Sequence, residues 1–213
     1  MKQQDALDPQ TLSLVRFAAA VAQGDEPDIR ERADDLRTDQ VPATWVEELL
    51  LQSVLMVGYP RTLVALGIWR KISRLPAPAT DPDTDYSRAA LWAERGEETC
   101  QLVYGDNYKK LRENVKSLHP AMDAWMITEG YGRTLARPGL DLLRRELCTV
   151  VQTAVLDTAR QLHSHLRGAL NAGASVEQVD ATMAAVNPVL AFDHWKRVKE
   201  IWRGVRDDWN PLD

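Results

Sequence analysis

The sequence is short of sulfur, of strand formers and of positive charge, and each shortage closes a class of function. Two cysteines occur, Cys100 and Cys148, far apart in the chain. They form no CxxC pair and no metal-ligand spacing, which excludes zinc-ribbon and thioredoxin-type chemistry; two free thiols in a reduced compartment are expected. There is no GxSxG, no P-loop and no GxGxxG, so nucleophile-elbow, phosphate-loop and dinucleotide-binding readings have no support. The formal net charge of -5 argues against a nucleic-acid groove. It leaves room for a small anionic ligand, because a local arginine cluster can sit on an acidic protein. No run approaches 18 apolar residues, so no membrane span is expected. The opening MKQQDALDPQ has no apolar core of the secretory kind, so no signal peptide is expected and a cytoplasmic location is the reading. Alternating β-branched stretches are missing, and only two Phe and five Tyr occur.

What is present is helical periodicity. Asp8-Pro9, a capping residue before proline at the first helical position, opens a block over 9–23 that Gly24 closes. Further blocks follow at 27–38, after Pro42 with Thr44 as cap, and at 61–73 beyond the break Gly58-Tyr59-Pro60. LPAPATDPDTD at 75–85 holds three prolines and three aspartates, cannot continue a helix and reads as a linker. Helices are then expected at 86–98, 106–118 and 120–130. After the break RPGLD at 137–141 come four more, at 141–156, 159–172, 176–187 and 192–207.

Shifting the chain by 133 positions lays residues 7–70 over 140–203 without a gap. Leu7-Asp8 meets Leu140-Asp141, Val46 meets Val179, and Ile68-Trp69-Arg70 meets Ile201-Trp202-Arg203. Identities are few, but the breaks coincide. A duplicated four-helix unit explains this; two unrelated amphipathic hairpins are the alternative. The expected fold is all-α, two similar halves in one chain: 1–74 the first, 75–99 a linker and connecting helix, 100–213 the second. Two such halves can pack about a pseudo-twofold axis, and leftover apolar stripes would favour a homo-oligomer.

On a helical wheel Glu146 lies about 60° from Leu143, at the border of the apolar stripe of its helix. His165 lies about 60° from Leu162 in the equivalent place on the next helix. If the two helices pack antiparallel, the groups can meet. A carboxylate fixes the tautomer of an imidazole and stabilises its protonated form, and the imidazole then moves a proton near neutral pH. A purely structural contact, or two separate boundary residues, is the other reading. His163, two positions before His165, points elsewhere on the helix and reads as solvated. His119 and His194 lack partners at diagnostic spacing, so no metal site is expected. Cys148 reads as a small buried thiol.

The run YGRTLARPGLDLLRRELCTVV followed by HLRGALNAGASVEQV resembles the carboxymuconolactone decarboxylase family, which includes AhpD-like alkylhydroperoxidases. YGDNY at 104–108 resembles the lead-in of decarboxylase-type members. The resemblance covers about 100–190; residues 7–70 resemble a degenerate copy. It implies an all-helical, oligomeric protein, with a homotrimer favoured and a dimer as alternative. Its peroxidase members use a CxxCxxxH motif with an upstream glutamate. The resemblance places that histidine on His165, the glutamate on Glu146, and the two cysteines on Thr158 and Gln161. The relay is kept and the redox pair is lost, and a thiol peroxidase needs both sulfurs. In the first half Ser13 stands for Glu146, Arg32 for His165 and Gln40 for the glycine; in the second, Asp193 stands for a trailing proline.

Two functions follow as expectations. One is a cofactor-independent lyase or isomerase on a small carboxylated substrate, with His165 and Glu146 moving the proton and Arg133, Arg137 or Arg167 holding the carboxylate. The other is a non-catalytic helical oligomer that binds a small molecule or a protein partner. A divergent redox role for Cys100 or Cys148 stays as a third. Neither nucleic acid nor membrane is an expected partner.

Overall fold

A computed structural model describes residues 6–210. The helices in chain order are α1 (Pro9–Gln23), α2 (Glu26–Thr38), α3 (Ala43–Ser73), α4 (Ala89–Tyr104), α5 (Tyr108–Leu118) and α6 (Pro120–Trp125). The last passes directly into a π-helical stretch, Met126–Leu135. Then come α7 (Leu142–Val155), α8 (Ala159–Asn171), α9 (Val176–Val186) and α10 (Phe192–Asp207). There is no strand among the described residues.

The ends of these helices follow from local chemistry. Asp8 accepts the Thr11 backbone N–H at 2.8 Å, and Pro9 takes the first turn. Asp141, its counterpart at the shift of 133, accepts the Arg144 N–H at 3.0 Å. Ser175 and Gln178 form a reciprocal capping box at the start of α9. The expected cap at Thr44 is not used: Pro42 is the capping residue, without a side-chain bond, and the helix already runs from Ala43.

The helix bounds follow the same shift. Residues 9–23 fall over 142–156 and 26–38 over 159–171, which are α7 and α8 to within one residue. The left-handed residues coincide too. Gly24 (φ 85°) falls on Asp157 (φ 54°), and Gln40 (φ 55°) on Gly173 (φ 96°). Each turn thus has glycine in one half and a strained side chain in the other. A non-glycine residue in this region costs about 1–2 kcal/mol. The Gln40 side chain is exposed, and it is the backbone carbonyl that accepts a hydrogen bond from Gln10. Gln40→Gly is therefore expected to raise stability by about 0.5–1 kcal/mol, after the larger chain entropy of glycine is subtracted. Urea denaturation measures this, and a loss of stability would contradict the reading.

The first half wraps α2 and α3 around α1; the second packs α8 and α9 on α7, with α10 on α8. α1 lies against α7, so a single core takes Leu14, Phe17, Leu49 and Trp69 from one half and Leu147, Val151, Leu166 and Trp202 from the other. A second cluster, around Cys100, Val103, Ile127 and Tyr131, fills the seam between α4 and the π-helical stretch. That seam is backbone against backbone. A Cβ on Gly132 would stand 1.7 Å from the Trp92 carbonyl oxygen, and one on Gly96 2.0 Å from that of Ile127.

α3 departs from expectation in one respect. By length and mean hydropathy, 1.5 over its best 18 residues, it alone among the described helices meets the requirement for crossing a membrane. Gly58, at φ 70° and ψ 174°, breaks it into two shorter rods. Leu49, Leu50, Ala65, Ile68 and Trp69 of those rods are buried in the shared core.

The segment read as a linker is also firmly held. Asp81 and Asp83 fold back onto Arg137, at 2.6 Å and 3.0 Å. Asp83 further accepts the Trp92 indole N–H at 2.8 Å. Arg137 donates from Nε to both oxygens of Glu48, and Glu48 takes a 2.8 Å hydrogen bond from Arg145. Arg145 is fully buried, with its remaining donors spent on Gln52 and on the carbonyls of Arg137 and Leu140. Burial pulls its pKa below the ordinary guanidinium value, and Glu48 opposes that pull. α4 runs unbroken across position 99, where the sequence reading set the start of the second half.

Candidate functional site

α7 and α8 pack side by side, and their two border residues face each other. His165 Nδ1 lies 2.8 Å from Glu146 Oε2. Glu146 is completely buried and His165 is 6% exposed. An ionised carboxylate can only accept, so the imidazole N–H is the donor. The other carboxylate oxygen, Oε1, is buried without a hydrogen-bond partner. An unpaired buried acceptor costs about 1–3 kcal/mol.

The pair fits because α8 has no side chain at Gly168, three residues after His165. A Cβ there would stand 2.5 Å from Glu146 Oε2 and 2.7 Å from Val103 Cγ1. Gly168→Ala is expected to push the carboxylate off the imidazole. The clash costs about 1–3 kcal/mol, against a gain in helix propensity of roughly 1 kcal/mol. A lowered urea midpoint together with a shifted His165 ring resonance would show it; an unmoved resonance would contradict it.

Beside the pair, α4, α5 and α8 enclose a cleft of about 470 Å³. Tyr104, Asn107, Lys110, Ser164, Arg167 and Asn171 line it. The volume suits a small molecule. His163 is exposed and also stands on the cleft wall. Arg167 is half-buried and has no ion-pair partner among the described residues. The other two expected carboxylate holders are committed elsewhere. Arg137 is saturated by Glu48, Asp81 and Asp83. Arg133 donates to Glu129 and to the Asp83 carbonyl, and it lies over the Tyr86 and Trp92 rings. Neither guanidinium lines the cleft, so of the three expected carboxylate holders Arg167 is the one on its wall.

Two tyrosines went unassigned in the sequence although both lie in the quoted runs. Tyr104 lines the cleft, and its ring meets that of Tyr131 edge-on at 6.2 Å between centroids. Burial raises both phenol pKa values, and the nearby Glu146 charge pushes in the same direction. Burial likewise pushes the Cys100 thiol up to about 12 and raises that of Cys148 further. Both thiols are free and buried. Thr158, at the first cysteine position implied by the resemblance, donates to the Thr153 carbonyl, and Gln161, at the second, is exposed. His119 caps α6 through Nδ1, while His194 stands 3.4 Å from Asp157, a partner that sequence spacing did not suggest.

In the first half Arg32 pairs with Asp35 at 2.6 Å, and the Ser13 hydroxyl donates to Asp39. These residues occupy the places of His165 and Glu146 but form no acid–base pair.

Comparison with known proteins adds a family match over residues 1–71 and 120–203, to the family described as "Carboxymuconolactone decarboxylase family". The matched segments take in both Glu146 and His165 and well over half of the chain. The protein belongs to the carboxymuconolactone decarboxylase family. A curated relative of this family member is "Peroxisomal protein 2" of Schizosaccharomyces pombe, 28% identical over 139 residues. The match covers 63% of each chain, so less than two thirds of that relative's length is represented. In this carboxymuconolactone decarboxylase family protein the insertion between the matched segments supplies α4, α5 and one wall of the cleft.

Proposed function

We propose that the protein is a cofactor-independent acid–base catalyst, a lyase or isomerase acting on a small carboxylated substrate. The observation that carries this reading is the buried 2.8 Å contact between His165 and Glu146, with Arg167 unpaired on the neighbouring cleft wall. Arg167 binds the carboxylate that stays on the substrate, with Lys110 adding positive charge at the rim. In a decarboxylation the bond to the departing carboxyl group breaks and CO₂ leaves. The electron pair spreads into the conjugated system, and one proton from the imidazolium ends on carbon. Glu146 stabilises the charged imidazole before transfer and fixes its tautomer after it. A thiol peroxidase route is not proposed: a thiol held near or above pH 12 offers almost no thiolate near neutrality.

The test is a screen of carboxylated lactones and related unsaturated acids, read by CO₂ release. Arg167→Ala is expected to raise KM, and His165→Ala to lower kcat. Unchanged turnover in His165→Ala would remove the mechanism.

A second reading, a non-catalytic oligomer, is favoured by one observation. Leu55, Tyr59, Leu63 and Val64 leave an apolar strip exposed on α3. A homotrimer is the proposed assembly and a dimer the alternative; analytical ultracentrifugation distinguishes them from a monomer.

A further inference from the structure

Every buried or half-buried arginine of the described chain has a carboxylate partner except two. One is Arg167, on the cleft described above. The other is Arg16 on α1, which has neither an ion pair nor a hydrogen-bond partner among the described residues. A half-shielded guanidinium gives up hydration, and with 31 acidic residues against 26 basic ones carboxylates are not scarce in this chain. Arg16 also lines a cleft, of about 440 Å³. Ala19 and Ala20, on the same face of α1, give it an apolar lining, together with Ala185 and Val189 from the end of α9 and the turn after it. Asp28 and Arg32, one turn apart on α2, complete it. The charge of Arg32 is balanced by Glu31 and Asp35. The Asp28 carboxylate has no ion pair among the described residues. The cleft thus holds one free positive and one free negative group that do not close on each other. The shift of 133 lays Asp28 on Gln161 and Arg32 on His165, so this is the first half's copy of the motif positions.

We propose that this cleft binds a small zwitterion, one carboxylate and one ammonium on a short apolar body, as in a free aliphatic amino acid. Arg16 takes the carboxylate with its fork of N–H donors, and Asp28 accepts from the ammonium. Alanine side chains end at Cβ, and the space they leave takes the apolar body. A plain anion meets the uncompensated charge of Asp28, and a plain cation meets that of Arg16, so each half of the ligand alone is disfavoured. A zwitterion satisfies both groups and brings no net charge into the site. Arg16 and Asp28 belong to the first half of the chain, Ala185 and Val189 to the second, so the bound ligand ties the halves together and stability rises with its concentration. This site shares no residue with the cleft beside Glu146 and His165.

The test uses the full chain with L-leucine and 6-aminohexanoate as zwitterions of two charge spacings. The controls are 4-methylpentanoate, which lacks the ammonium, and 3-methylbutylamine, which lacks the carboxylate. Binding is followed by calorimetric titration and by NMR shifts of the α1 and α2 amides, with thermal melting of each variant. One of the zwitterions is expected to bind about tenfold or more tightly than either control and to raise the melting temperature. Its Kd should weaken about tenfold in Arg16→Gln and in Asp28→Asn, each of which removes one charge-assisted contact. Arg16→Lys keeps the charge and should retain most of the binding, which separates a lost contact from a lost fold. Arg167→Ala should leave this binding unchanged. Binding of neither zwitterion overturns the proposal. So does 4-methylpentanoate binding as tightly as leucine, which would leave Asp28 without a role. Weakening in Arg167→Ala but not in Arg16→Gln would move the ligand to the other cleft and also overturn it. Each of these failures leaves the acid–base reading of His165 untouched.

Discussion

Glu48→Ala is expected to destabilise the protein by about 3–5 kcal/mol, because it leaves a buried guanidinium uncompensated. At about 2–4 °C per kcal/mol for a chain of this size, melting falls by roughly 6–20 °C. The reason is geometric. Glu48 is the shared acceptor for Arg145, which is 0% exposed, and for Arg137, which also binds Asp81 and Asp83. Removing the carboxylate leaves Arg145 without its one anionic partner, and water cannot reach it to replace the loss. Arg137 keeps two other carboxylates, so most of the loss falls on Arg145. Glu48→Gln keeps the shape and some hydrogen bonding but not the charge, and is expected to lie between Ala and wild type. A melting temperature within about 2 °C of wild type for Glu48→Ala would show that Gln52 and the carbonyls alone satisfy Arg145.

His165→Ala is expected to lower turnover by about 10²- to 10⁴-fold, the usual contribution of a positioned proton donor. Stability should fall as well, by about 1–3 kcal/mol, because Glu146 is left buried with neither carboxylate oxygen paired. Glu146→Gln is the informative partner. It keeps volume and burial but cannot stabilise the imidazolium, so turnover falls while the fold persists. A turnover loss in His165→Ala explained wholly by unfolding, seen as a matching loss of far-UV circular dichroism, would leave the residue without a chemical role.

Much of this architecture is legible in the residues, and the exceptions share a cause. Helix breaks at Gly24, at Gly58 and at 137–141 are written in local chemistry, and they appear where glycine, proline and capping aspartate place them. The approach of Glu146 to His165 follows from two amphipathic wheels, because both groups border stripes that must be buried. Arg133 and Arg137 could not be judged in this way. The carboxylates that pair with Arg137, from Glu48, Asp81 and Asp83, lie some fifty to ninety positions away, so a cation that looks available in sequence is neutralised in the fold, whereas Arg133 pairs with Glu129 only four positions before it. The same distance hid Arg145, which reads as an ordinary charged helix residue beside Glu146. Tyr104 and Tyr131 were visible as letters but not as neighbours, since their meeting depends on the close approach of α4 to the π-helical stretch. The sequence pattern ended that helix near residue 130, whereas it runs on to Leu135 through wider π-type turns.

The α1–α7 contact gives the first half of the chain a mechanical part at a pair it does not itself reproduce. Ser13 and Arg32 form no acid–base pair, yet α1 is the wall on which α7, the helix that carries Glu146, leans. A cavity opened deep in α1, at Leu14 or Phe17, would therefore be felt through α7 at the carboxylate on its far side.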